Sequence, residues 1–217
     1  MSVDPDEGGT MDLWSYDLQV RSCGIATLCG VDEAGAGPLA GPVYAAAVIL
    51  PPQLVIEGLN DSKKLTARRR EELFGVIARE AAAFGVARVE AAEIDEMDIL
   101  NARMLAMSRA IEKLAETPDL VLIDGNRDHG SRYAATELPH QMVIGGDGLS
   151  ASVAAASILA KVSRDRYVTE ELDRQYPQYQ FARHKGYGTK LHYEMLDRYG
   201  PCPAHRRTFL KKWEART

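Results

Sequence analysis

Residues 28–50 read LCGVDEAGAGPLAGPVYAAAVIL, and this stretch decides the fold class. Residues 28–31 and 43–50 are apolar runs of strand length, with glycines such as Gly35 and Gly37 between them. Apolar runs of this length, bounded by turn residues, predict buried strands. Glycine allows the backbone conformations and close approach that a tight turn needs. The stretch therefore predicts two buried strands joined by a tight turn.

Beyond residue 50 the chain alternates between helical and strand patterns. Helices are predicted at residues 62–83, 95–114, 150–176 and 189–199, and further strands at residues 85–89, 120–123 and 141–144. Strands followed by helices, with some strands adjacent in sequence, predict an α/β fold with a mixed sheet. Residues 1–27 show no sustained period and are expected to form a lead segment, partly helical near residues 13–20. Residues 28–217 are expected to form one domain.

The composition is that of a globular protein with 217 residues, of which 46% are hydrophobic and 26% charged. The longest apolar stretch, residues 39–50, is too short and too interrupted to span a membrane. The acidic N-terminus lacks the order of a signal peptide, so we expect a cytoplasmic protein without a membrane partner. The chain has three cysteines and no C-x-x-C pair. We therefore expect free thiols rather than a disulfide framework or a structural zinc site.

The charge is distributed unevenly along the chain. The net charge is −5, yet residues 161–217 carry +6 and residues 1–160 carry −11. A basic C-terminal quarter on an acidic body is typical of a groove that binds a polyanion beside embedded carboxylates. A solvated basic helix end would account for the same charges, and charge alone does not separate these interpretations.

Acidic residues recur where apolar runs end. Asp32 with Glu33, Asp124 and Asp147 each follow such a run, next to glycine or a small residue. Ligand sites of open α/β sheets gather at strand ends, and clustered carboxylates repel one another unless a cation lies among them. Oxygen ligands without neighbouring Cys or His favour Mg²⁺ or Mn²⁺, which serve phosphoryl-transfer sites. A single Asp after a strand is often only a cap or turn residue, so the recurrence carries this prediction.

Other candidates offer a bare backbone, a positive charge or an aromatic ring to a nucleic acid. They are Gly35, Ala36, Gly37, Lys63, Lys64, Arg164, Lys185 and Tyr187. Each has an ordinary alternative. Lysines at a helix start are commonly just solvated, and Tyr187 would also suit a half-buried position in the core.

Several stretches resemble the motifs of type 2 ribonuclease H, the ribonuclease HII family, in order and spacing over residues 28–210. The stretches are GVDEAGAGPLAGP at 30–42, NDSKKL at 60–65, IDGN at 123–126, AAASILAKVSRDR at 154–166, HKGYGTK at 184–190 and PAHRR at 203–207. The resemblance implies a ribonuclease H-like fold, with a mixed sheet flanked by helices and a helical C-terminal extension.

The resemblance also implies an activity. Members of the family cut the RNA strand of RNA–DNA hybrids and nick duplex DNA on the 5′ side of an embedded ribonucleotide, leaving 3′-hydroxyl and 5′-phosphate ends. The expected role is the removal of misincorporated ribonucleotides from DNA. By resemblance, the acids that hold two Mg²⁺ or Mn²⁺ ions in the catalytic state are Asp32, Glu33, Asp124 and Asp147.

Substrate recognition is also implied by the resemblance. Tyr187 and the backbone of the turn at residues 35–37 would sense the ribose 2′-hydroxyl, which distinguishes RNA from DNA. Asp165 is expected to pair with nearby arginines rather than to hold metal. The protein is expected to act as a monomer on RNA–DNA hybrids and on duplex DNA containing ribonucleotides.

The sequence departs from the family pattern in two places. Ala36 replaces the usual arginine of the Gly-Arg-Gly turn, and Gly145 and Leu149 replace lysines on either side of Asp147. We expect weaker affinity for nucleic acid with the chemistry retained, because all four acids are present.

Two alternatives stay open at this point. A type 3 relative shares the fold and an early Asp-Glu pair, but it carries an additional N-terminal substrate-binding domain, for which the 31 residues before Asp32 are too few. A non-catalytic nucleic-acid-binding protein that kept the fold would fit the altered surroundings of Asp147. Metal-dependent nicking of a duplex with one ribonucleotide would distinguish that protein from an enzyme.

Overall fold

A mixed five-stranded sheet is the centre of the protein, seen in a computed structural model that describes residues 12–126 and 132–215. The strands are β1 Leu28–Ala34, β2 Val43–Ile49, β3 Ala83–Val89, β4 Leu120–Asp124 and β5 His140–Val143. Their order is β3-β2-β1-β4-β5. The pairs β1–β2 and β2–β3 are antiparallel, and β4 runs parallel to both β1 and β5. The predicted α/β class with a mixed sheet is confirmed.

The parallel register of β1 and β4 determines where the acids emerge. Val31 pairs with Ile123. The next residues, Asp32 and Asp124, therefore leave the core at the same edge of the sheet. Carboxyl ends of parallel strands are where open α/β sheets place their ligand sites.

Helices cover both faces of the sheet and form its C-terminal extension. Their bounds are α1 Leu13–Arg21, α2 Ala67–Glu80, α3 Ala91–Met97, α4 Ile99–Ile111, α5 Ala151–Arg166, α6 Asp173–Gln175, α7 Phe181–His184, α8 Lys190–Tyr199 and α9 Arg207–Glu214. Single 3₁₀ turns occupy Ser62–Lys64, Gly146–Gly148 and Pro177–Tyr179, and a π-helical turn occupies Tyr167–Leu172. The helical C-terminal part is confirmed. No helix among the described residues is both long and apolar enough to cross a membrane.

The two faces of the sheet are packed differently. On one face, Met104 and Met107 of α4 join a cluster of buried strand residues. On the other face, the alanine-rich start of α5 lies directly against β1. A Cβ placed on Gly30 would lie 2.1 Å from the main-chain carbon of Ser152, so the approach requires glycine there. Small residues on both elements thus bring α5, and the turn before it, close to the strand that carries Asp32.

Three predicted helices differ from the observed ones. The helix predicted over 95–114 is two helices that meet at Asp98, which has a φ of 74° and caps α4 by accepting the Asn101 N–H at 3.0 Å. Neither Gly nor Pro marks this break. The helix predicted over 150–176 changes to the π-helical turn after Arg166, and that predicted over 62–83 is α-helical only in α2. Its predicted cap is confirmed, since Thr66 accepts the Arg69 N–H at 3.2 Å.

The N-terminal segment is docked on the domain rather than leading into it. Residues 1–11 lie outside the described residues, but the helix expected near 13–20 is observed as α1. The buried Asp17 carboxylate accepts hydrogen bonds from Ser150 Oγ at 2.6 Å and from Ser152 N and Oγ at 2.9 and 2.7 Å. These bonds hold α1 against the start of α5. The predicted free thiols are confirmed for all three cysteines.

Candidate active site

Three aspartates meet at the edge of the sheet. Asp32 lies near the end of β1, Asp124 ends β4, and Asp147 lies in the 3₁₀ turn before α5. One carboxylate oxygen from each lies within 4.8 Å of the others. Asp32 is 5% exposed and Asp147 is 4% exposed. The structure thus concentrates negative charge at a site with little water to screen it.

Backbone hydrogen bonds set the directions of these carboxylates. Asp124 Oδ1 accepts the Gly146 N–H at 2.7 Å, which ties β4 to the turn that holds Asp147. Gly145, with a φ of 65°, turns the chain into that segment. A Cβ on Gly146 would lie 3.2 Å from Val153 and 3.5 Å from Asp124 Oδ1, so glycine keeps the junction compact.

Glu33 borders the cleft and is held by an arginine that the sequence analysis did not identify. Its Oε1 accepts a hydrogen bond from Arg103 Nη2 of α4 at 2.7 Å. Its Oε2 is buried and has no hydrogen-bond partner among the residues the structure describes. A buried carboxylate oxygen without a partner is costly unless a cation or water binds it, so this atom is available as a ligand.

Burial and mutual repulsion disfavour ionisation of these acids. Burial raises the pKa of Asp32 well above its usual value, and the charges of Glu33, Asp124 and Asp147 raise it further. Burial and the charge of Asp147 likewise raise the pKa of Asp124. For Glu33 burial also raises the pKa, although Arg103 opposes this effect. A hard divalent cation would relieve the repulsion, and the all-oxygen donor set with one unpartnered oxygen fits such an ion.

Lys63 and Lys64, two of the predicted phosphate-binding residues, lie near Asp147. Lys63 Nζ lies 2.7 Å from Asp147 Oδ2, and this hydrogen bond raises the pKa of Lys63. Asp61 orients the turn by accepting the Lys63 N–H at 2.8 Å. Lys64 Nζ lies 4.0 Å from where a Cβ on Gly148 would stand. Both lysines are thus brought beside the acid cluster.

The turn at residues 35–37 is held from behind by Arg206. This buried guanidinium donates from Nη2 to the Gly35 carbonyl at 2.7 Å and from Nη1 to the Ala36 carbonyl at 3.0 Å. Because a trans peptide places C=O and the next N–H on opposite sides, the N–H groups of Ala36 and Gly37 point away from Arg206. Arg206 belongs to the motif at residues 203–207, and nothing in the sequence indicates this role.

Arg164 does not reach the cleft, and its predicted phosphate contact is wrong. Its side chain is fully buried and donates to the carbonyls of Pro42, Lys185 and Ala40 at 3.1, 3.1 and 3.2 Å. Because the guanidinium donates its hydrogen bonds to main-chain carbonyls inside the protein, Arg164 has a structural role. The predicted pairing of Asp165 with an arginine is observed, since Arg164 Nη1 lies 4.0 Å from its Oδ1, although its closest cation is Lys161 at 2.9 Å.

Tyr187 is 41% exposed and lines the same cleft as Asp32, Gly35 and Lys63. Lys161 Nζ lies 5.7 Å from the ring centroid and also lines the cleft, although the sequence analysis assigned it no role. The only signal for Lys161 was its place in the motif at 154–166.

Lys185 is the remaining predicted cation, and Gly145 and Leu149 replace the usual lysines on either side of Asp147. Lys185 donates a hydrogen bond to Thr169 Oγ1 and lines an adjacent groove with Arg70 and Arg166. Leu149 is partly exposed, and nothing lies within 4 Å of a Cβ placed on Gly145. The loss of both lysines therefore changes the local charge rather than the packing.

Comparisons with known proteins point in one direction. The family model described as Ribonuclease HII matches residues 29–214. Ribonuclease HII of Caldicellulosiruptor bescii is 53% identical over 188 residues, covering 87% of this chain and 88% of that protein. Ribonuclease HII of Shewanella sp. (strain MR-7) is 51% identical over 197 residues, covering 91% and 93%.

The fold comparison agrees with the sequence comparison. The crystal structure of the ribonuclease H2 from Pyrococcus horikoshii OT3 matches with a TM-score of 0.71 at 28% identity, covering 88% of this chain and 98% of that one. This match confirms the expected ribonuclease H-like fold. The stretch matched by the family model also includes the acid cluster, the turn at residues 35–37 and Tyr187.

Proposed function

Because the chain belongs to the ribonuclease HII family and is a hydrolytic endoribonuclease, we propose that it cuts the RNA strand of RNA–DNA hybrids and nicks duplex DNA 5′ to an embedded ribonucleotide. The products carry 3′-hydroxyl and 5′-phosphate ends. One observation carries the proposal. A single cleft is lined by Asp32 and Asp124 of the acid cluster, by Gly35 and Ala36 of the turn and by Tyr187, and Asp147 lies beside the two other aspartates.

The acid cluster is the proposed site of Mg²⁺ or Mn²⁺, with two ions in the catalytic state. The ligands would be Asp32, Asp124, Asp147 and the unpartnered Oε2 of Glu33. When bound, divalent cations acidify water and neutralise charge on the reacting phosphate. Arg103 would keep Glu33 aimed at the site through its 2.7 Å hydrogen bond.

The chain's own groups would bind and orient the substrate. The Lys63 side chain, 73% exposed beside Asp147, would bind a non-bridging oxygen of the scissile phosphate. Lys64 and Lys185 would hold neighbouring phosphates, which makes binding sensitive to salt. This chemistry requires no histidine base.

The turn at residues 35–37 and Tyr187 would distinguish ribose from deoxyribose. The N–H groups of Ala36 and Gly37 can donate to a 2′-hydroxyl oxygen, and the Tyr187 ring can pack on the sugar. A deoxyribose offers no such acceptor, so the donors would lose their partner. Arg164 and Arg206 would act from inside the protein by keeping the loop in this conformation.

The proposed nicking activity implies a role in DNA repair. Nicking at embedded ribonucleotides would start the removal of misincorporated ribonucleotides from DNA. We propose a monomer, because one chain supplies the acids, the turn and the tyrosine. A cytoplasmic location remains a prediction.

Cleavage of a labelled RNA–DNA hybrid with Mg²⁺, with Mn²⁺ and with chelator tests the activity. We expect cleavage with metal and none with chelator. Asp124→Asn should lower the rate by about 100-fold or more, since losing a ligand costs several kcal/mol of charge stabilisation. Glu57→Gln, at an exposed site outside the cleft, is the control and should retain full activity. Intact metal-dependent cleavage by Asp124→Asn would refute the site assignment.

A further inference from the structure

Three buried histidines lie directly behind Tyr187. His184, His192 and His205 are 6%, 0% and 2% exposed. The rings of His184 and His192 are stacked, with centroids 4.3 Å apart. Buried imidazoles cannot touch a nucleic acid, so their role must pass through the residues they bind.

The hydrogen bonds of this cluster have one consistent direction. His192 Nδ1 lies 3.0 Å from the Tyr187 carbonyl, which can only accept, so Nδ1 carries the proton. His192 Nε2 of the neutral ring must then accept from His205 Nε2–H, 3.0 Å away. His205 Nδ1 is left as an acceptor, which agrees with the Cys202 N–H at 3.0 Å and the Cys202 Sγ at 3.2 Å. The Cys202 carbonyl, at 3.3 Å from the same nitrogen, is the longest of the three contacts and receives no proton in this arrangement. The result is a directed chain from Cys202 to the Tyr187 main chain.

Burial keeps these rings in the neutral form that the chain needs. It lowers the pKa of His192 and of His205 to about 4, with a smaller contribution from His184 at His192 and from His192 at His205. Near pH 7 each imidazole therefore carries one proton. With a single proton, each ring can donate on one side and accept on the other.

The third histidine fixes the residue before Tyr187. Gly186 donates its N–H to His184 Nδ1 at 3.2 Å, and His184 Nε2 donates to the Tyr179 carbonyl at 2.9 Å. The Gly186 carbonyl accepts the Leu39 N–H at 2.8 Å. Gly186 has a φ of 83°, and a Cβ there would lie 2.5 Å from the Ala40 carbonyl. Residues 186–187 are thus held between the histidines and the loop that carries the turn at 35–37.

We propose that His192, supported by His205, is a positioning residue for ribose recognition. It holds the Tyr187 main chain so that the Tyr187 ring faces the turn across the cleft. The inference rests on the proposed function and adds a specificity role for buried residues that never contact substrate. Loss of the Nδ1–H donor should let the ring shift, and small displacements of a positioning group can cost up to about 100-fold in rate.

Two substitutions separate the donor from the bulk of the ring. The amide of Asn can place an N–H near the position of Nδ1, whereas the amide of Gln reaches toward the position of Nε2. His192→Gln should therefore lose the bond to Tyr187, and His192→Asn should keep it. Each variant is compared by kcat/KM on a duplex with one embedded ribonucleotide and on a continuous RNA–DNA hybrid. The duplex offers one ribose and one productive register, whereas the hybrid offers many, so a misplaced Tyr187 ring should cost more on the duplex.

The measured quantity is the ratio of these two efficiencies. His192→Gln should lower the ratio by about 10-fold or more, within the range that misplacement of a positioning group allows, and His192→Asn should leave it near that of the unmodified protein. In a Tyr187→Ala background, His192→Gln should lower it no further. Equal losses on both substrates, or the same loss of ratio without the tyrosine ring, would overturn the inference.

Two controls keep the outcome decisive. If His192→Gln fails to fold, His205→Asn removes the donor to His192 without altering the neighbour of Tyr187. It should lower the ratio in the same tyrosine-dependent way, and an unchanged ratio would also overturn the inference. If the unmodified protein cuts neither substrate, the proposed function fails, whereas cleavage with an unchanged ratio in His192→Gln rejects only the positioning role.

Discussion

Lys63 Nζ lies 2.7 Å from Asp147 Oδ2, so the ammonium of an exposed lysine is hydrogen-bonded to the carboxylate of a buried aspartate. Asp147 is one of three aspartates whose oxygens converge within 4.8 Å. The lysine charge thus offsets part of the repulsion within the cluster. The same ammonium must leave Asp147, at least in part, when the carboxylate binds a divalent cation.

Removing this ammonium should tighten metal binding. Lys63→Met frees Asp147 of a competing cation, and a partly exposed ion pair is worth up to about 1 kcal/mol, so Mn²⁺ should bind roughly fivefold more tightly. Calorimetric titration of Mn²⁺ without nucleic acid measures this. Lys64→Met is the matched control and should bind Mn²⁺ as the unmodified protein does. Weaker Mn²⁺ binding by Lys63→Met would contradict the proposed competition.

The two glycines of the turn at residues 35–37 should respond differently to the same substitution. Gly35 has a φ of 95°, and a Cβ there would lie 2.1 Å from Arg164 Nε, whereas a Cβ on Gly37 meets nothing within 4 Å. Gly35→Ala should destabilise the protein by about 1–3 kcal/mol and reduce nicking at a single ribonucleotide. Gly37→Ala should be nearly neutral in urea unfolding. Equal effects at the two positions would mean that the turn is not held as described.

The role of Arg164 should appear in stability rather than in salt dependence. Arg164→Met leaves the carbonyls of Pro42, Lys185 and Ala40 without their donor, at a cost of roughly 3 kcal/mol. Lys185→Met should change stability little but reduce the slope of nucleic-acid affinity against salt by about one. Urea unfolding and binding titrations at several salt concentrations measure the two effects. A stable Arg164→Met protein with a reduced salt slope would restore the surface contact rejected above.

Acid should destabilise the protein through the buried histidines. His192 and His205 have pKa values of about 4 when folded, against about 6.5 when unfolded, so the unfolded chain binds more protons between these values. The free energy of unfolding should fall as the pH drops from 6.5 to 4, by up to about 3 kcal/mol for each ring.

The variant His192→Asn isolates this effect. It removes one titrating ring, so its unfolding free energy should depend less steeply on pH in this window. The acid cluster, whose raised pKa values act in the opposite direction, is common to both proteins and cancels in the comparison. His184, Cys202 and Arg207 also influence His205 and stay unchanged. Identical pH profiles for the two proteins would show that His192 does not titrate as described.

The positions of the three converging aspartates were predictable from the sequence because they depend on strand ends. Asp32 and Asp124 each follow an apolar run of strand length, which is enough to place them at strand ends. The parallel pairing that brings them to one edge is seen only in the folded chain. The position of Asp147 was predictable from the Gly-rich turn in which it lies, just before an alanine-rich helix. Because Glu33 directly follows Asp32 in the sequence, its position near the other acids was predictable as well.

The supporting arginines were not predictable in the same way. Arg103, Arg164 and Arg206 reach their partners through long side chains whose ends leave no periodic pattern in the sequence. Arg206 bonds to carbonyls about 170 positions away, and only the folded chain brings these together. The break at Asp98 escaped prediction because a carboxylate cap, rather than Gly or Pro, restarts the helix there. The docking of α1 depends on the contact of Asp17 with Ser150 and Ser152, far away in sequence.

The lost lysines near Asp147 can be restored. Leu149→Lys returns a cation to a partly exposed position beside the acid cluster. Affinity for a ribonucleotide-containing duplex should rise at low salt, with the salt slope steeper by about one, since each phosphate contact releases about one counterion. Electrophoretic mobility shifts in chelator at several salt concentrations measure this. Leu149→Gln provides a polar control without charge, and an equal gain in both variants would exclude a phosphate contact.

The most direct test of the central claim is to map the cut in a duplex DNA that contains one ribonucleotide. Both strands are end-labelled, the ends of the products are identified, and an all-DNA duplex of the same sequence is the control. We predict one metal-dependent nick on the 5′ side of the ribonucleotide, with 3′-hydroxyl and 5′-phosphate ends, and no cut in the control. Cleavage of the all-DNA duplex, a nick on the 3′ side, or no nick by a folded protein with either metal would contradict the account.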